Sequence, residues 1–221
     1  MHDYTGPHDY FDEAYVNEWA SVANSKRPFR PELFEAIVSE LAVLHASKVL
    51  DVGSGPGFLA ERVLAGCDVA SYHLFDFSPH MLELSRARLR DFGHRAVFHQ
   101  GSFLDDGWWR SLPAPYDALV SMQAIHEVRE GARIPKLYGE LRLLLEEGGI
   151  ILIADEVNDG DQQEEHLLSL SEHETALLRA GFEEIRTVHT AGDLVLVAAT
   201  FWGKGCSTER AAMSRPSSHR S

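Results

Sequence analysis

The order of apolar and polar residues along the chain predicts a sheet covered by helices. Between residues 48 and 202, short apolar runs alternate with longer stretches in which apolar residues recur at helical spacing. Such alternation is typical of a parallel sheet with helices on both faces. The predicted strands span 48–52, 71–77, 96–100, 116–122 and 149–157, and the predicted helices span 58–65, 79–92, 134–147 and 171–180.

The last two β-rich runs, 183–190 and 194–202, are predicted to pair differently from the others. Only Ala191, Gly192 and Asp193 separate them. A connection this short cannot cross over the sheet, so the two runs must form an antiparallel hairpin. We therefore expect a mainly parallel sheet that ends in one reversed strand.

The residues before the first strand predict helices. Apolar residues lie on one face of 31–44, and the aromatic-rich stretch 10–19 favours a further helix. We interpret 1–47 as an N-terminal helical segment that packs on the domain as a lid, and 48–202 as the domain itself. The final stretch, 203–221, has no large aliphatic residue and no aromatic residue, which predicts a disordered tail.

Composition and charge narrow the classes of function. The 221-residue chain is 44% hydrophobic and has a formal net charge of −14, so it lacks the basic surface with which proteins neutralise nucleic-acid phosphates. Cys67 and Cys206 lie too far apart in sequence to form a metal-ligand pair, and no apolar run is long enough to span a bilayer. We expect a soluble, cytoplasmic protein with no metal, nucleic-acid or membrane partner; the sequence also allows for a homodimer.

A glycine-rich turn is the sharpest local motif. Residues 49–61 read VLDVGSGPGFLAE, a strand that runs into Gly53, Gly55 and Gly57 and then into a helix. Glycines allow a tight turn and let a ligand approach the backbone beside a helix N-terminus. A dinucleotide-binding turn needs a small residue where Phe58 stands, and a P-loop needs a following Lys-Ser/Thr pair. The turn, with Asp51 before it, better fits a nucleoside without pyrophosphate.

An acidic residue lies at the end of the second predicted strand. Asp76 stands nineteen residues after Gly57, where a carboxylate can accept hydrogen bonds from two ribose hydroxyls. A generic turn and a surface carboxylate are the alternative interpretation. The two motifs in this order nevertheless favour a nucleoside site.

Taken together, these motifs resemble those of the class I S-adenosylmethionine-dependent methyltransferases over residues 48–202. The stretch 116–128, YDALVSMQAIHEV, is similar to small bacterial members. The resemblance implies a Rossmann-like, doubly wound α/β sheet of seven strands in the order 3-2-1-4-5-7-6, with strand 7 antiparallel, and S-adenosylmethionine as cofactor. The predicted cofactor-binding residues are Asp51, Gly53, Ser54, Gly55, Gly57, Asp76, Phe77, Met81, Ser102, Phe103, Ser121 and Met122.

The loop after the third strand departs from that family pattern. Many members carry Gly-Asp there, with the Asp holding the adenine amino group, whereas Gly101 is followed by Ser102. A hydroxyl is a weaker partner than a carboxylate. Asp105 either substitutes for it or is a solvated loop acid, and the Trp108-Trp109 pair either covers the adenine pocket or anchors the loop.

The acceptor is expected beyond the carboxyl ends of the fourth and fifth strands, where open α/β sheets bind ligands. A histidine there can take a proton near neutral pH, because its unperturbed pKa is about 6.5; the alternative is a histidine that only shapes the wall. The catalytic candidates are His126, Glu127 and Asp155, and the substrate-binding candidates are Tyr15, Trp19, Arg30 and Gln123.

The sequence thus predicts methyl transfer to an oxygen or nitrogen of a small-molecule acceptor by in-line displacement. A protein or RNA methyltransferase would share the cofactor half, and a non-catalytic binding protein would keep only the fold. The negative charge disfavours RNA, and the intact glycine turn and Asp76 disfavour loss of the cofactor. Fold resemblance gives the cofactor class rather than the acceptor.

Overall fold

A single mixed sheet organises the computed structural model, which describes residues 8–129, 133–158 and 167–203. The strands are β1 Lys48–Val52, β2 Ser71–Asp76, β3 Ala96–Gln100, β4 Tyr116–Met122, β5 Leu145–Glu156, β6 Glu183–Ala191 and β7 Leu194–Thr200. Their order in the sheet is β3-β2-β1-β4-β5-β7-β6, with β7 antiparallel to both β5 and β6, and the remaining neighbours parallel. The predicted order and the predicted hairpin are confirmed.

Helices pack on both faces of the sheet and bury two separate apolar layers. The helices are α1 Glu13–Lys26, α2 Arg30–Leu44, α3 Phe58–Gly66, α4 Pro79–Arg88, α5 Ile134–Arg142 and α6 Leu170–Ala180. One layer joins the apolar faces of α2 and α3 to the sheet, and the other joins α5 and α6 to its opposite face. Short 3₁₀ turns span Arg90–Arg95, Trp108–Ser111 and Ile125–Val128.

Local signals set several of the helix ends. Asp12 and Ser78 accept backbone hydrogen bonds at the starts of α1 and α4, and Ser169 forms a reciprocal capping box with Glu172 at the start of α6. Gly181, with a positive φ of 90°, ends α6 as the sequence predicted.

Two predicted helices are too long. The helix predicted over 79–92 ends at Arg88 and continues as a 3₁₀ turn, inside which Gly93 is not helical. The helix predicted over 134–147 ends at Arg142, because Leu145 already pairs with Tyr116 at the start of β5. Pairing with β4 thus outweighs the helical tendency of the Leu- and Glu-rich stretch.

Other sequence predictions concern the ends of the chain and the membrane. Except for Gly203, the predicted tail 203–221 lies outside the described residues. Within the described ranges, none of the helices combines the length and the apolar content needed to cross a membrane. Nor do these ranges contain a group of three His, Cys, Asp or Glu residues that could hold a metal ion.

Candidate active site

A cavity of about 320 Å³ opens at the carboxyl ends of β1, β2, β4 and β5. Helix α1 and the residues before it lie over this edge of the sheet and supply part of the lining. Of the residues predicted from sequence, the structure brings to this cavity Tyr15, Trp19, Arg30, Asp51, Gly53, Ser54, Gly55, Asp76, Phe77, Met81, Phe103, Met122, Gln123, His126 and Glu127.

Two glycines of the turn after β1 have different surroundings. Gly53 has φ +73°, and a Cβ there would lie 2.3 Å from the Cβ of Ala124, so the loop after β4 packs directly on its backbone. Gly55 has φ +54°, and no protein atom lies within 4 Å of the place a Cβ would occupy. The backbone at Gly55 therefore faces open space in the cavity. Gly57 does not line the cavity, because its backbone packs on Ser85 of α4.

Asp51 is buried at the base of the cavity with only half of its carboxylate occupied. The hydroxyl of Tyr72 donates to Oδ2 over 3.0 Å, whereas Oδ1 is buried without a hydrogen-bond partner. The hydroxyl of Ser54 is buried and unpartnered in the same way. Burial raises the pKa of Asp51 to about 7, against the opposing effect of the Tyr72 hydrogen bond. Such unpartnered polar atoms are costly, and a ligand that supplies donors would satisfy them.

Asp76 joins the end of β2 to the glycine turn. Its Oδ2 accepts from the backbone N–H of Gly55 over 2.8 Å, and its Oδ1 accepts from the N–H of Ser78 over 2.9 Å. Burial raises the pKa of Asp76 to about 6, although these backbone hydrogen bonds act to lower it. Each carboxylate oxygen has a second lone pair, so the side chain can still accept hydrogen bonds from a ligand.

Of the four residues predicted to lie near the adenine, three line the cavity and one does not. Phe77, Met81 and Phe103 line the cavity, and Phe77 packs edge-on against Tyr10. Ser102 lies outside the lining, buried, where its hydroxyl accepts from the N–H of Leu104.

Three more residues from the sequence predictions also lie away from the cavity. The hydroxyl of Ser121 donates to the carbonyl of Val52 inside the sheet. Asp105 is exposed. Trp108 donates to Glu140 over 3.0 Å and packs on Phe75, which makes it an anchor of its loop.

His126 and Asp155 form a buried pair beside the cavity. The 3₁₀ turn after β4 carries His126, and Asp155 lies near the end of the adjacent β5. Nδ1 of His126 donates to Oδ1 of Asp155 over 2.5 Å, and the backbone N–H of His126 donates to Oδ2 over 3.0 Å. Asp155 itself does not line the cavity. It lies behind the imidazole, so that Nε2, which is 3.8 Å from Oε1 of Glu127, is the nitrogen that can face a ligand.

The charge of His126 differs from the sequence expectation. Burial disfavours the imidazolium, but Asp155, Glu127 and Glu156 together raise the pKa of His126 to about 9. Burial also acts to raise the pKa of Asp155, yet the contact with His126 holds it below its usual value. At neutral pH the pair is therefore an imidazolium with a carboxylate rather than a neutral histidine.

Side chains from distant parts of the chain complete the side of the cavity on which His126 lies. Tyr10 donates to Glu127 over 3.2 Å, and Gln123 donates to Glu156 over 3.4 Å. Arg27, at the end of α1, pairs with Glu156 and also with Asp193 in the β6–β7 turn. The N-terminal segment is thereby joined to the ends of β4, β5 and β7.

Sequence reasoning missed part of the lining. The lining residues not named as site residues from the sequence are His8, Tyr10, Val22, Ala23, Lys26, Arg27, Phe34, Pro56, Phe58 and Leu59. Ala124 and Glu156 also line the cavity, in the stretches at the ends of β4 and β5 where the sequence placed the acceptor. The sequence predicted that the N-terminal segment lies over the site as a lid, but it identified only Tyr15, Trp19 and Arg30 as contacts; no local pattern identified the other lining residues of α1 and α2.

Comparison with known proteins agrees with this geometry. Residues 49–149 match the family model of a methyltransferase domain. A highly reducing polyketide synthase from Emericella nidulans is 32% identical over 114 residues, which are 49% of this chain and 4% of that protein. The chain therefore spans only a small part of the curated relatives that it matches.

Solved structures share the fold at low identity. An O-methyltransferase family protein from Burkholderia thailandensis is 18% identical, covers 88% of this chain and 62% of its own, and superposes with a TM-score of 0.72. Human N-acetylserotonin methyltransferase, solved with S-adenosylmethionine, is 17% identical over 88% of this chain and 58% of its own, with a TM-score of 0.67. The CurJ carbon methyltransferase is 14% identical over 70% of this chain and 48% of its own, with a TM-score of 0.60.

The match to a methyltransferase domain agrees with two features of the structure. These are the strand order with its reversed β7, and the glycine turn followed by Asp76. Residues 49–149 thus match a methyltransferase domain, and the fold is that of solved S-adenosylmethionine-dependent methyltransferases.

Proposed function

We propose that this protein transfers the methyl group of S-adenosylmethionine to an oxygen or nitrogen of a small-molecule acceptor by in-line displacement, and that His126 takes the acceptor's proton. The observation that carries the proposal is the His126–Asp155 pair, whose imidazole lines the same cavity as the glycine turn. A proton acceptor beside a nucleoside site is the arrangement that methyl transfer to a protonated nucleophile requires.

The cofactor half of the cavity fits S-adenosylmethionine. The unpartnered Oδ1 of Asp51 and hydroxyl of Ser54 suit the ammonium group of its methionyl part, and the open space at Gly55 admits that part against the backbone. Asp76 suits the ribose hydroxyls, and Phe77, Met81 and Phe103 suit the adenine. When bound, S-adenosylmethionine supplies a methyl group activated by a positively charged sulfur.

Asp155 positions His126 and does not contact the acceptor in this proposal. Its two oxygens hold Nδ1 and the backbone N–H of His126, which fixes the imidazole plane and leaves Nε2 for the acceptor. Glu127 and Gln123 line the cavity next to it and are proposed to orient the acceptor. Excluding water and holding the two reactants at the attack distance supply the rest of the rate.

The elevated pKa of His126 gives the proposal a defined pH dependence. Only the neutral imidazole can take a proton, and below pH 9 its fraction falls about tenfold per unit. We expect kcat to rise with pH and to level off below pH 9, because the positive sulfur of the cofactor lowers the pKa of a neighbouring cation. In Asp155→Asn, burial remains while the carboxylate is lost, so the profile should level off at lower pH with a smaller maximum.

A carbon acceptor is the second candidate. The CurJ carbon methyltransferase shares the fold, and the curated relatives are polyketide synthases. A base that takes a proton from a phenol or an ammonium can equally take one from an acidic carbon next to carbonyl groups. The same wall would then serve a β-ketoacyl compound.

The cover over the cavity and the negative charge of the chain support a small acceptor. The cavity is covered by residues 8–30 on one side, and a net charge of −14 repels polyanions. We propose that this cover is the lid predicted from sequence, with Tyr15 and Trp19 on its inner side.

A methyl-transfer screen tests the proposal. The full chain is incubated with S-adenosylmethionine carrying a ¹³C-labelled methyl group and with panels of phenols, amines and β-ketoacyl thioesters, and products are identified by mass spectrometry and NMR. Labelled O- or N-methyl products support the first candidate, and labelled C-methyl products support the second. Histone tails and RNA are incubated in the same way. If the protein binds the cofactor and labels one of these macromolecules but no member of the small-molecule panels, a small acceptor is contradicted.

A further inference from the structure

Arg30 is the first residue of α2 and is an unusual component of the cavity lining. The residue is 7% exposed, and its guanidinium carbon lies 5.8 Å from the ring centres of Trp19 and Phe34 and 6.0 Å from that of Phe58. Aromatic faces attract a cation at these distances and hold it in place. A ring has no oxygen acceptor for the five N–H groups that a guanidinium offers.

The described part of the chain offers Arg30 no counter-charge. Within residues 8–129, 133–158 and 167–203, no carboxylate forms an ion pair with it, and its Nε is buried without a hydrogen-bond partner. The neighbouring Arg27 shows the contrast, because it pairs with Glu156 and Asp193. Arg30 therefore keeps its donors for something that enters the cavity.

Burial of an unpaired cation is unfavourable, which makes this position informative. Burial and the nearby Arg27 lower the pKa of Arg30 to about 10, so the side chain is still charged at neutral pH. A buried charge without a partner destabilises a fold, whereas the same charge beside a cavity becomes favourable when an anion binds. The planar fork of a guanidinium matches a carboxylate with two parallel hydrogen bonds.

We propose that Arg30 binds a carboxylate of the ligand, and that this residue places the N-terminal segment in the binding machinery. The inference rests on the proposed function and deepens it. Two sources of the carboxylate share this chemistry: the methionyl end of the cofactor and an acidic acceptor. Phe58 directly follows the glycine turn and lies against Arg30, while Asp51, with its unpartnered Oδ1, lines the same cavity. A cation and an anion in one cavity suit an α-amino-acid group.

Calorimetry with matched ligands and variants tests the proposal. S-adenosylhomocysteine has the amino-acid group and 5′-methylthioadenosine lacks it, so the ratio of their affinities reports recognition of that group. If the carboxylate is the cofactor's, Arg30→Met should weaken S-adenosylhomocysteine binding by about 10- to 150-fold, leave methylthioadenosine unchanged, and exceed the loss in Arg30→Lys. Arg86→Met is the matched control, because Arg86 also stacks on a ring, that of Phe98, but lies outside the cavity.

The second arm detects an acceptor carboxylate. Benzoate, indole-3-acetate and acetoacetate, each with its amide, are titrated into protein saturated with S-adenosylhomocysteine. If the carboxylate is the acceptor's, at least one acid binds more tightly than its amide, and Arg30→Met removes that difference while S-adenosylhomocysteine affinity stays unchanged.

Thermal unfolding without ligand separates a binding role from a structural one. Removing an unpaired buried cation should leave the melting temperature of Arg30→Met equal to or above that of the wild type. Unchanged affinity of Arg30→Met for S-adenosylhomocysteine and for every acid would overturn the proposal, and a lower melting temperature would then assign Arg30 a structural role. If the wild type binds no S-adenosylhomocysteine at all, it is the proposed function that fails, and the carboxylate proposal fails with it.

Discussion

The two walls of the cavity are built by different means. The glycine wall, formed by Asp51, Gly53, Ser54, Gly55 and Asp76, is held mainly by hydrogen bonds from backbone N–H groups, such as that from Gly53 to the carbonyl of Phe75 and that from Gly55 to Asp76, each over 2.8 Å. The histidine wall, formed by Gln123, His126, Glu127 and Glu156, is held mainly by contacts between side chains.

Sequence separation makes the difference between the walls plain. The partners of the histidine wall lie 29, 117 and 129 residues away, in the contacts with Asp155, Tyr10 and Arg27. The glycine wall joins two adjacent parallel strands and the loops that follow them. A wall built from backbone tolerates few changes of shape, whereas a wall built from side chains can vary with the acceptor. The two walls should therefore respond separately to substitution.

The largest expected effect falls on the histidine wall. His126→Ala should lower kcat by about 10²- to 10⁴-fold, because proton transfer of this kind usually contributes that much. Affinity for S-adenosylhomocysteine, measured by calorimetry, should change little, since the glycine wall is untouched. His126→Asn should not restore kcat, because an amide cannot take the proton. An unchanged kcat in His126→Ala would leave proximity alone as the source of rate.

Asp76→Ala should produce the converse result on the glycine wall. Loss of charge-assisted hydrogen bonds, worth about 1.5 to 3 kcal/mol, predicts cofactor affinity lower by about 10- to 150-fold. The N–H groups of Gly55 and Ser78 also lose their acceptor, so unfolding should occur at lower temperature. The exposed Asp91→Ala is the control for both measurements. Equal binding by Asp76→Ala and wild type would remove Asp76 from the site.

Substituting two glycines separates packing from ligand access. Gly53→Ala should destabilise the protein by about 2 to 5 kcal/mol, since its Cβ overlaps Ala124 and its φ is positive. Gly55→Ala should cost about 1 to 2 kcal/mol from φ alone, yet weaken S-adenosylhomocysteine binding because the methyl group enters the cavity.

Gly93→Ala is the matched control for Gly55→Ala. Gly93 has a similar φ of +58° and similarly open surroundings, but it lies outside the cavity lining. Urea unfolding should show a loss of stability in both variants, at least as large in Gly93→Ala because the ψ of −128° at Gly93 is a conformation that almost only glycine adopts. Calorimetry should show a loss of affinity in Gly55→Ala alone. Equal affinity losses in the two variants would mean that Gly55 does not face the ligand.

The smallest expected effect concerns the link between α1 and the histidine wall. Arg27→Gln removes the pairs with Glu156 and Asp193, and partly exposed pairs of this kind contribute about 0.2 to 1 kcal/mol. We expect a small fall in melting temperature and a modest rise in the acceptor's KM. Arg186→Gln, which removes the surface pair with Glu40 away from the cavity, should lower the melting temperature similarly without changing KM.

Features that depend on neighbouring residues were predicted well from the sequence. The strands, the hairpin after Gly181, the glycine turn and Asp76 follow from spacing, from turn residues and from the resemblance to a family. Where local tendency and pairing disagreed, pairing prevailed, as in the early end of α5 and the early start of β5.

The sequence predicted less well which individual residues line the cavity. Ser121 and Met122 are adjacent at the end of β4, yet only Met122 lines the cavity, because alternate side chains of a strand point to opposite faces. Asp155 and Glu156 repeat this pattern at the end of β5. The sequence predicted the strands, and with them the alternation of side chains between the two faces of the sheet. Which residue of each pair faces the cavity depends, however, on where the strand ends.

The amino-acid sequence was sufficient to predict the class of fold, the likeness to methyltransferases and the glycine turn with Asp76, because these rest on short-range backbone patterns. The rest of the cavity depends on tertiary contacts. It placed Asp155 behind His126 and raised the imidazole's pKa, it joined Arg27 to Glu156, and it enclosed Arg30 in three rings from different helices. Burial and charge at these positions come from residues far apart in the chain, and no local pattern encodes such contacts.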